Sequence, residues 1–286
     1  MTITRKLTGE PPKTRLPKGT VDAQMHMYLP GYPAQDGGPP LPGGTLPGPA
    51  EYRQLMAWLG IDRVIITQGN AHQRDNANLV ACVREMGDVA RGVCVITPDT
   101  PKAELTSLAD AGIVGARIMD LPGGGIGLDA LEGVDALAAD MGWALAVQFH
   151  GSDLLTHLPR LQKLKSRWML DHHGKFFDGI TPAHVDALKG LIDQGNAWFK
   201  FAGCYESSKT GAPYEDIAET ARAIAAHAPE RIVWGTNWPH NLAKTTEEYP
   251  DDAALTDTVL SWFPSESAMH KALVENPEDL FGLPKL

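Results

Sequence analysis

Two histidines follow directly on apolar runs of this sequence, at positions where the chain would leave a buried strand. His26 stands in DAQMHMY (22–28), and His172 stands in LDHHG (170–174). Imidazole titrates near neutral pH, so it can take a proton from one oxygen and return it to another. His26 and His172 are therefore the candidates for general acid–base catalysis.

The apolar runs that precede these histidines recur along the whole chain. Each run is continuous rather than alternating, which is typical of strands buried on both faces of a parallel sheet. Eight such runs span residues 19–27, 63–67, 90–96, 114–119, 144–150, 167–173, 197–203 and 231–237.

Segments with helical periodicity separate the runs. In residues 49–60, Tyr52, Met56 and Leu59 lie on one apolar stripe before Gly60 ends the segment. Similar patterns cover residues 129–142, 181–195, 214–229 and 254–263. Strand–helix repeats without an antiparallel hairpin signal predict a (β/α)8 TIM barrel. A doubly wound dinucleotide-binding sheet is disfavoured, because no G-x-G-x-x-G motif follows the first run.

The length of 286 residues is within the range of one α/β barrel, so residues 1–286 are predicted to form a single domain. Residues 1–18 are predicted to be an N-terminal extension. The segment 29–49 is rich in proline and glycine, and we expect it to form a long loop over the barrel mouth. The glycine run at 121–127 is interpreted as a second flexible loop at that end.

The formal net charge of −10 and the sequence pI of about 5.4 argue against nucleic acid or an anionic membrane as partner, since both attract basic surfaces. A small anionic substrate remains compatible, because it needs only one or two local arginines. The three cysteines lack the CxxC spacing of a zinc or redox site, and no apolar run is long enough for a membrane span. We therefore expect a cytoplasmic protein with reduced cysteines. The sequence leaves open whether the protein forms a homo-oligomer.

Four features together resemble the amidohydrolase superfamily. They are D-x-Q-M-H at 22–26, Arg117 near the end of the fourth run, L-D-H-H-G at 170–174 and W-G-T-N-W-P-H at 234–240. The match follows nearly the whole chain in order and length. It is similar more narrowly to the branch of dicarboxylate lactonases typified by 2-pyrone-4,6-dicarboxylate lactonase. The resemblance implies a barrel enzyme that acts on a lactone.

Two departures from the superfamily pattern bear on the chemistry. Where the pattern has a histidine and an aspartate that hold a metal or activate water, this sequence has Gln24 and Asn237. Neutral amides are poor ligands for zinc-class ions, so we expect no metal and no other cofactor. Asn237 also has no basic lone pair at neutral pH, so the usual general base for water is missing.

A lactone enzyme without that base is expected to transfer the acyl group within the substrate rather than to water. An internal hydroxyl already lies within reach of the carbonyl, so a six-membered lactone can become a five-membered one. His26 or His172 would move the proton, and Asn237 would hydrogen-bond a substrate hydroxyl or the oxyanion. The pattern of replacements resembles lactonase homologues that isomerise sugar-diacid lactones, and it implies the 1,5- and 1,4-lactones of galactarate in D-galacturonate catabolism. Two alternatives remain, a lactonase that hydrolyses a dicarboxylate lactone and a barrel that binds an acidic sugar without catalysis.

The remaining candidates are polar residues near the ends of the runs. Arg117 can bind the carboxylate of such a substrate with two parallel hydrogen bonds, although an ion pair with Asp120 or Asp171 would make it structural. For Lys200, the sequence is compatible with a structural role or with a contact to the substrate. The other predicted substrate-binding residues are Gln24, Asn70, His72, His150, Tyr205 and His240.

Overall fold

Eight parallel strands form the centre of the protein. The structure is a computed structural model and describes residues 3–285. The strands are β1 (Val21–Met25), β2 (Arg63–Thr67), β3 (Ala90–Cys94), β4 (Ile113–Asp120), β5 (Ala144–Phe149), β6 (Arg167–Leu170), β7 (Ala197–Phe201) and β8 (Ile232–Trp234). They pair in chain order. Asn237 N donates to Gln24 O at 2.8 Å and His26 N donates to Trp238 O at 2.8 Å, so β8 and β1 meet and the barrel is nearly closed.

Helices alternate with these strands around the outside of the sheet. They are α1 (Pro49–Leu59), α2 (Ala77–Met86), α3 (Lys102–Asp110), α4 (Leu131–Met141), α5 (Leu154–Leu161), α6 (Pro182–Asp193), α7 (Glu215–His227), α8 (Asp252–Leu260), α9 (Glu266–His270) and α10 (Asn276–Phe281). The predicted (β/α)8 TIM barrel is confirmed. No helix of residues 3–285 is both long enough and apolar enough to cross a membrane.

Several strands end before the apolar run that predicted them. The run 167–173 leaves the sheet at Leu170, because His172 and His173 adopt φ values of 50° and 52°. That left-handed region turns the chain out of the extended conformation of a strand. The last residues of this run therefore belong to an irregular segment at the barrel mouth.

The barrel interior changes from apolar to polar toward the carboxyl ends of the strands. Ile65, Ala146, Met169 and Trp198 belong to one buried apolar cluster. Side chains alternate along a strand, so the residues two positions farther on face the same interior. Those residues are Thr67, Gln148, Asp171 and Lys200, and all four are buried. Alternation along the strands thus builds a buried polar layer beneath the barrel mouth.

Residues 3–18 and 29–48 contain no helix or strand. The first segment lies against the helices, where Trp58 Nε1 donates to Glu10 O at 2.8 Å. Part of the second segment, Pro39–Gly43, lines an outer vestibule of about 580 Å³ at the mouth. Met1, Thr2 and Leu286, which complete the predicted extension and domain, lie outside the described residues.

Candidate active site

A cavity of about 240 Å³ lies at the carboxyl ends of the strands. This is the end at which barrel enzymes carry their active sites. Five of the predicted site residues line it, namely His26, Asn70, Arg117, His172 and Asn237. The other lining residues are Met119, Leu121, Pro122, Gln148, Lys175, Phe177, Glu206, Asn241 and Leu242.

His26 is held in one tautomer. Its Nδ1 lies 2.9 Å from the carbonyl oxygen of Thr67, and a carbonyl only accepts, so Nδ1 carries the proton. Burial, together with the nearby charge of Arg117, lowers the pKa of His26 to about 3. The imidazole is therefore neutral near pH 7, and its unprotonated Nε2 can accept a proton at the cavity.

One ring nitrogen of His172 is hydrogen-bonded within the protein, and the other lies close to a carboxylate without forming a hydrogen bond. The Nε2 lies 3.0 Å from Asn237 Oδ1, and the Nδ1 lies 3.1 Å from Asp171 Oδ1. The His172 Nε2 is held by Asn237 at 3.0 Å, whereas the His26 Nε2 has only a longer contact of 3.4 Å with Gln24 Nε2, so His26 is the freer of the two to exchange a proton with a ligand. Its geometry suits a fixed donor that orients the Asn237 amide.

Both polar atoms of the Asn237 side chain form hydrogen bonds within the protein. Its Nδ2 donates to the Tyr205 hydroxyl at 2.8 Å and to Glu206 Oε1 at 2.8 Å, while Oδ1 accepts from His172. An amide nitrogen has only two hydrogens, so none remains for an oxyanion. A ligand can reach only the second lone pair of Oδ1, which would accept a hydrogen bond from a hydroxyl.

Tyr205 and His240 support Asn237 from behind the cavity wall. Tyr205 Oη lies 2.6 Å from His240 Nδ1, and His240 Nε2 lies 2.9 Å from Asp252 Oδ1. A carboxylate oxygen accepts, so His240 donates from Nε2 to Asp252 and accepts the Tyr205 hydroxyl at Nδ1. The sequence predicted both residues as substrate contacts. Neither lines this cavity, although His240 lines the outer vestibule of the mouth.

A buried ion pair lies under the cavity floor. Lys200 Nζ lies 3.0 Å from Asp171 Oδ1 and donates to Gln24 Oε1 at 2.7 Å. Burial alone would raise the pKa of Asp171, but the charge of Lys200, with that of His172, lowers it well below its ordinary value. Gln24 and Lys200 are thus tied to each other and do not line the cavity.

These contacts do not fit a divalent metal ion. The Gln24 amide oxygen already accepts from a cationic ammonium group, and Asn237 Oδ1 already accepts from an imidazole. A second cation beside Lys200 would be repelled. Across residues 3–285, no three His, Cys, Asp or Glu side chains are grouped as a metal would require.

Arg117 is surrounded by neutral acceptors. It donates from Nη1 to Gln68 O at 2.9 Å and from Nη2 to Gln148 Oε1 at 3.1 Å. No carboxylate of the described residues lies within ion-pair distance of it, Asp120 and Asp171 included. Burial lowers the pKa of the guanidinium, and the charges of Asp171 and Glu206 oppose this shift only from farther away. Arg117 therefore brings to the cavity a positive charge that no carboxylate contacts directly, as an anionic ligand requires.

Lys175 and Glu206 line the cavity but were not predicted from the sequence. The Lys175 ammonium forms a buried ion pair with the Glu206 carboxylate. Although burial opposes ionisation, the charge of Lys175 lowers the pKa of Glu206 to about 2, so the carboxylate is charged. The only sequence signal is a charged residue shortly after a strand-end motif.

His72 and His150 lie away from the cavity lining. His72 Nδ1 lies 3.2 Å from Pro33 O, and its ring packs 5.6 Å from that of Tyr28. His150 Nε2 lies 3.6 Å from Asp178, and its ring packs against the edge of Phe177 at 5.2 Å. Both belong to the loops that surround the mouth.

Comparisons with known proteins agree with this geometry. The chain is 61% identical to D-galactarolactone isomerase of Agrobacterium fabrum, over 98% of this chain and 97% of the relative. It is 29% identical to a 2-pyrone-4,6-dicarboxylate hydrolase of Comamonas testosteroni, over 94% of this chain and 92% of the relative. The apo crystal structure of an Agrobacterium tumefaciens protein, 61% identical, superposes with a TM-score of 0.97 and covers 99% of this chain and 100% of its own.

The model of the amidohydrolase family matches residues 21–283, from the first strand to just beyond the last helix. The match includes all eight strands and every residue that lines the cavity. The resemblance that the motifs indicated is confirmed. This chain belongs to the amidohydrolase family.

Proposed function

We propose that this protein converts D-galactaro-1,5-lactone to D-galactaro-1,4-lactone by acyl transfer within the substrate. The observation that carries the proposal is the environment of Asn237, an amide whose hydrogens are both donated within the protein. No base for water exists at that position. The identity of 61% to D-galactarolactone isomerase supports the same reaction.

His26 moves the proton in this proposal. The substrate O4 hydroxyl attacks the C1 carbonyl and gives its proton to His26 Nε2, and a C1–O4 bond forms. The C1–O5 bond then breaks, and the imidazolium returns the proton to O5. No water is consumed and no acid is released, because one ester replaces another in the same molecule.

Arg117 and Lys175 supply the positive charge that the substrate needs. The Nη hydrogens of Arg117 are all donated within the protein, to Asn70 Oδ1 at 3.3 Å among others, whereas its Nε has no partner among the described residues. We assign this Nε and the guanidinium charge to the free carboxylate of the substrate. The Lys175 ammonium has two further N–H groups beyond the one given to Glu206, and we assign it to the developing oxyanion. Asn237 Oδ1 would accept a hydrogen bond from a substrate hydroxyl.

We further propose that the enzyme needs no metal and works in the cytoplasm in D-galacturonate catabolism. The contact between Lys200 and Gln24 supports metal independence. Three free and buried cysteines support a reducing compartment, and the net charge of −10 supports a small-molecule substrate rather than nucleic acid.

A lactonase is the second candidate, because the relatives at 29% identity include hydrolases of 4-sulfomuconolactone and of 2-pyrone-4,6-dicarboxylate. Proton NMR of chelator-treated protein with galactaro-1,5-lactone, followed in weak buffer with a pH electrode, separates the candidates. The isomerase yields 1,4-lactone faster than the protein-free control without releasing acid. Acid release at the same rate as lactone loss would identify a lactonase, and no acceleration would favour a binding protein.

A further inference from the structure

Glu206 faces the amide of Asn237 inside the cavity. Glu206 Oε1 accepts from Asn237 Nδ2 at 2.8 Å, while the other carboxylate oxygen accepts from Lys175. The Glu206 side chain is 9% exposed and that of Lys175 is 4% exposed. Water therefore screens this contact only weakly. The free energy of the contact depends strongly on whether the group at position 237 is a hydrogen-bond donor or a charged acceptor.

The hydrogen bonds around Asn237 fix which way its amide points. On one side, Oδ1 accepts from His172 Nε2. On the other side, the Tyr205 hydroxyl is donated to His240, so its oxygen is free to accept. Only a donor at position 237 satisfies both Tyr205 and Glu206 at once. An amide can donate and accept at these positions, whereas an ionised carboxylate can only accept.

An aspartate at position 237 would place two carboxylates within hydrogen-bond distance of each other. Two such groups cannot both ionise at low cost, so one of them keeps a proton to high pH. Glu206 already has the Lys175 ammonium as a counterion, whereas position 237 faces only His172, which Asp171 also faces at 3.1 Å. The proton would therefore stay on the residue at position 237. A protonated carboxyl group there is no base for water.

We propose that Glu206 is a specificity-determining residue that requires a hydrogen-bond donor at position 237 and so excludes the ionised aspartate that would activate water. Glu206 acts through its neighbour and is a positioning residue rather than a catalytic one. The inference rests on the proposed isomerase function and deepens it. It adds that the amide and the carboxylate are a matched pair, and that replacing Asn237 alone does not produce a lactonase.

Other charged or titratable groups act on Glu206 from several elements. They come from the segments after β1, β6 and β7 and from β4, and they are His26, His172, Lys175, Arg117, Tyr205 and Cys204. Lys175 and His172 favour the ionised form of Glu206. These groups remain in every variant below, so differences between the variants report on the pair itself.

Four proteins test the pair: the wild type, Asn237→Asp, Glu206→Gln and the double variant that carries both changes. The double variant has the same net charge as the wild type, and its new amide at position 206 can donate to an ionised carboxylate at position 237. NMR product analysis with acid release near pH 7 is expected to show little hydrolysis for Asn237→Asp. The double variant should hydrolyse at least about tenfold faster, because relief of the like-charge contact shifts the pKa by a unit or more. Equal hydrolysis by Asn237→Asp and the double variant would overturn the proposal.

A second measurement needs no substrate. In Asn237→Asp the folded-state pKa of the new carboxyl group is raised above its unfolded value. The melting temperature relative to wild type should therefore fall as pH rises from about 5 to about 8, since between its unfolded and folded pKa values such a group binds more protons in the folded state. Glu206→Gln added to Asn237→Asp should remove this fall. An Asn237→Asp protein that does not fold near pH 7 but is rescued by Glu206→Gln also supports the pair.

A difference in melting temperature that does not change with pH would contradict the proposal, as would a double variant that also fails to fold. If the wild type does not isomerise the lactone, the proposed function fails. The melting measurement still decides in that case whether Glu206 excludes an ionised carboxylate from position 237. The two failures are therefore distinguishable.

Discussion

His26 Nδ1 lies 2.9 Å from the carbonyl oxygen of Thr67, and this contact fixes which nitrogen of the ring can act as a base. Because Nδ1 must donate to the carbonyl, the lone pair is on Nε2. The carbonyl thus does for His26 what a carboxylate does in many catalytic histidines, but it leaves the imidazole neutral.

Two substitutions of His26 separate the base from the anchoring hydrogen bond. His26→Asn keeps a donor near the position of Nδ1 and removes the Nε2 base. It should lower kcat for lactone isomerisation by about 100-fold or more, the usual contribution of general acid–base catalysis. His26→Gln should lose the Thr67 contact as well and melt at a lower temperature. Steady-state kinetics and thermal unfolding check both, and an Asn variant with nearly wild-type kcat would remove His26 from the mechanism.

The pH dependence follows from the pKa of His26, which burial and the charge of Arg117 lower to about 3. The unfolded residue titrates near 6.5, so between these values the unfolded state binds more protons. The free energy of unfolding should therefore fall as pH drops from about 7 toward 3, and His26→Asn should reduce that slope. The isomerisation kcat/KM should show no acid limb near pH 6.5. An acid limb at that pH which His26→Asn abolishes would contradict the assignment.

Arg117→Gln tests the carboxylate site. Loss of a charge-assisted hydrogen bond costs about 1.5–3 kcal/mol, which corresponds to a rise in substrate KM of roughly 10- to 150-fold. Arg222→Gln is the matched control, because Arg222 forms an exposed pair with Glu215. The control should leave KM unchanged. A lower melting temperature of Arg117→Gln without a change in KM would assign Arg117 a structural role.

Lys200→Met tests the ion pair under the cavity floor. Asp171 would remain as an unpaired buried charge, and the free energy of unfolding should fall by about 3–5 kcal/mol. Lys6→Met is the control, since Lys6 pairs with Asp251 at the surface, where a pair contributes about 1 kcal/mol or less. Urea denaturation compares the two. Similar small losses for both lysines would mean that the Lys200 contact with Asp171 does not stabilise the fold.

Strand alternation explains which parts of the site the sequence could predict. Arg117 lies within β4, His26 directly follows β1 and Asn237 follows β8 by three residues. All three belong to apolar runs or motifs that are easily recognised, and the resemblance identified the same positions. Glu206 and Lys175 lie beyond the strands, in irregular segments where alternation no longer applies. Lys175, for example, has a φ of 51°. No periodic pattern tells which way such side chains point, so this ion pair emerges only from the three-dimensional fold.

Proximity in sequence to a strand end was also not enough to place a side chain in the cavity. Tyr205 directly precedes Glu206, yet its hydroxyl turns to His240 while Glu206 lines the cavity. Helix α5 was not predicted from the sequence either. It is short and contains Pro159, and proline disfavours the interior of a helix.

The most direct test of intramolecular acyl transfer is isotopic. The chelator-treated protein is incubated with galactaro-1,5-lactone in water enriched in oxygen-18, and the 1,4-lactone is analysed by mass spectrometry beside a protein-free control. We expect 1,4-lactone without oxygen-18 in excess over the control, since the attacking oxygen comes from the substrate. Enzyme-dependent incorporation of oxygen-18 into the lactone or into open-chain diacid would show that water attacks the carbonyl and would contradict it.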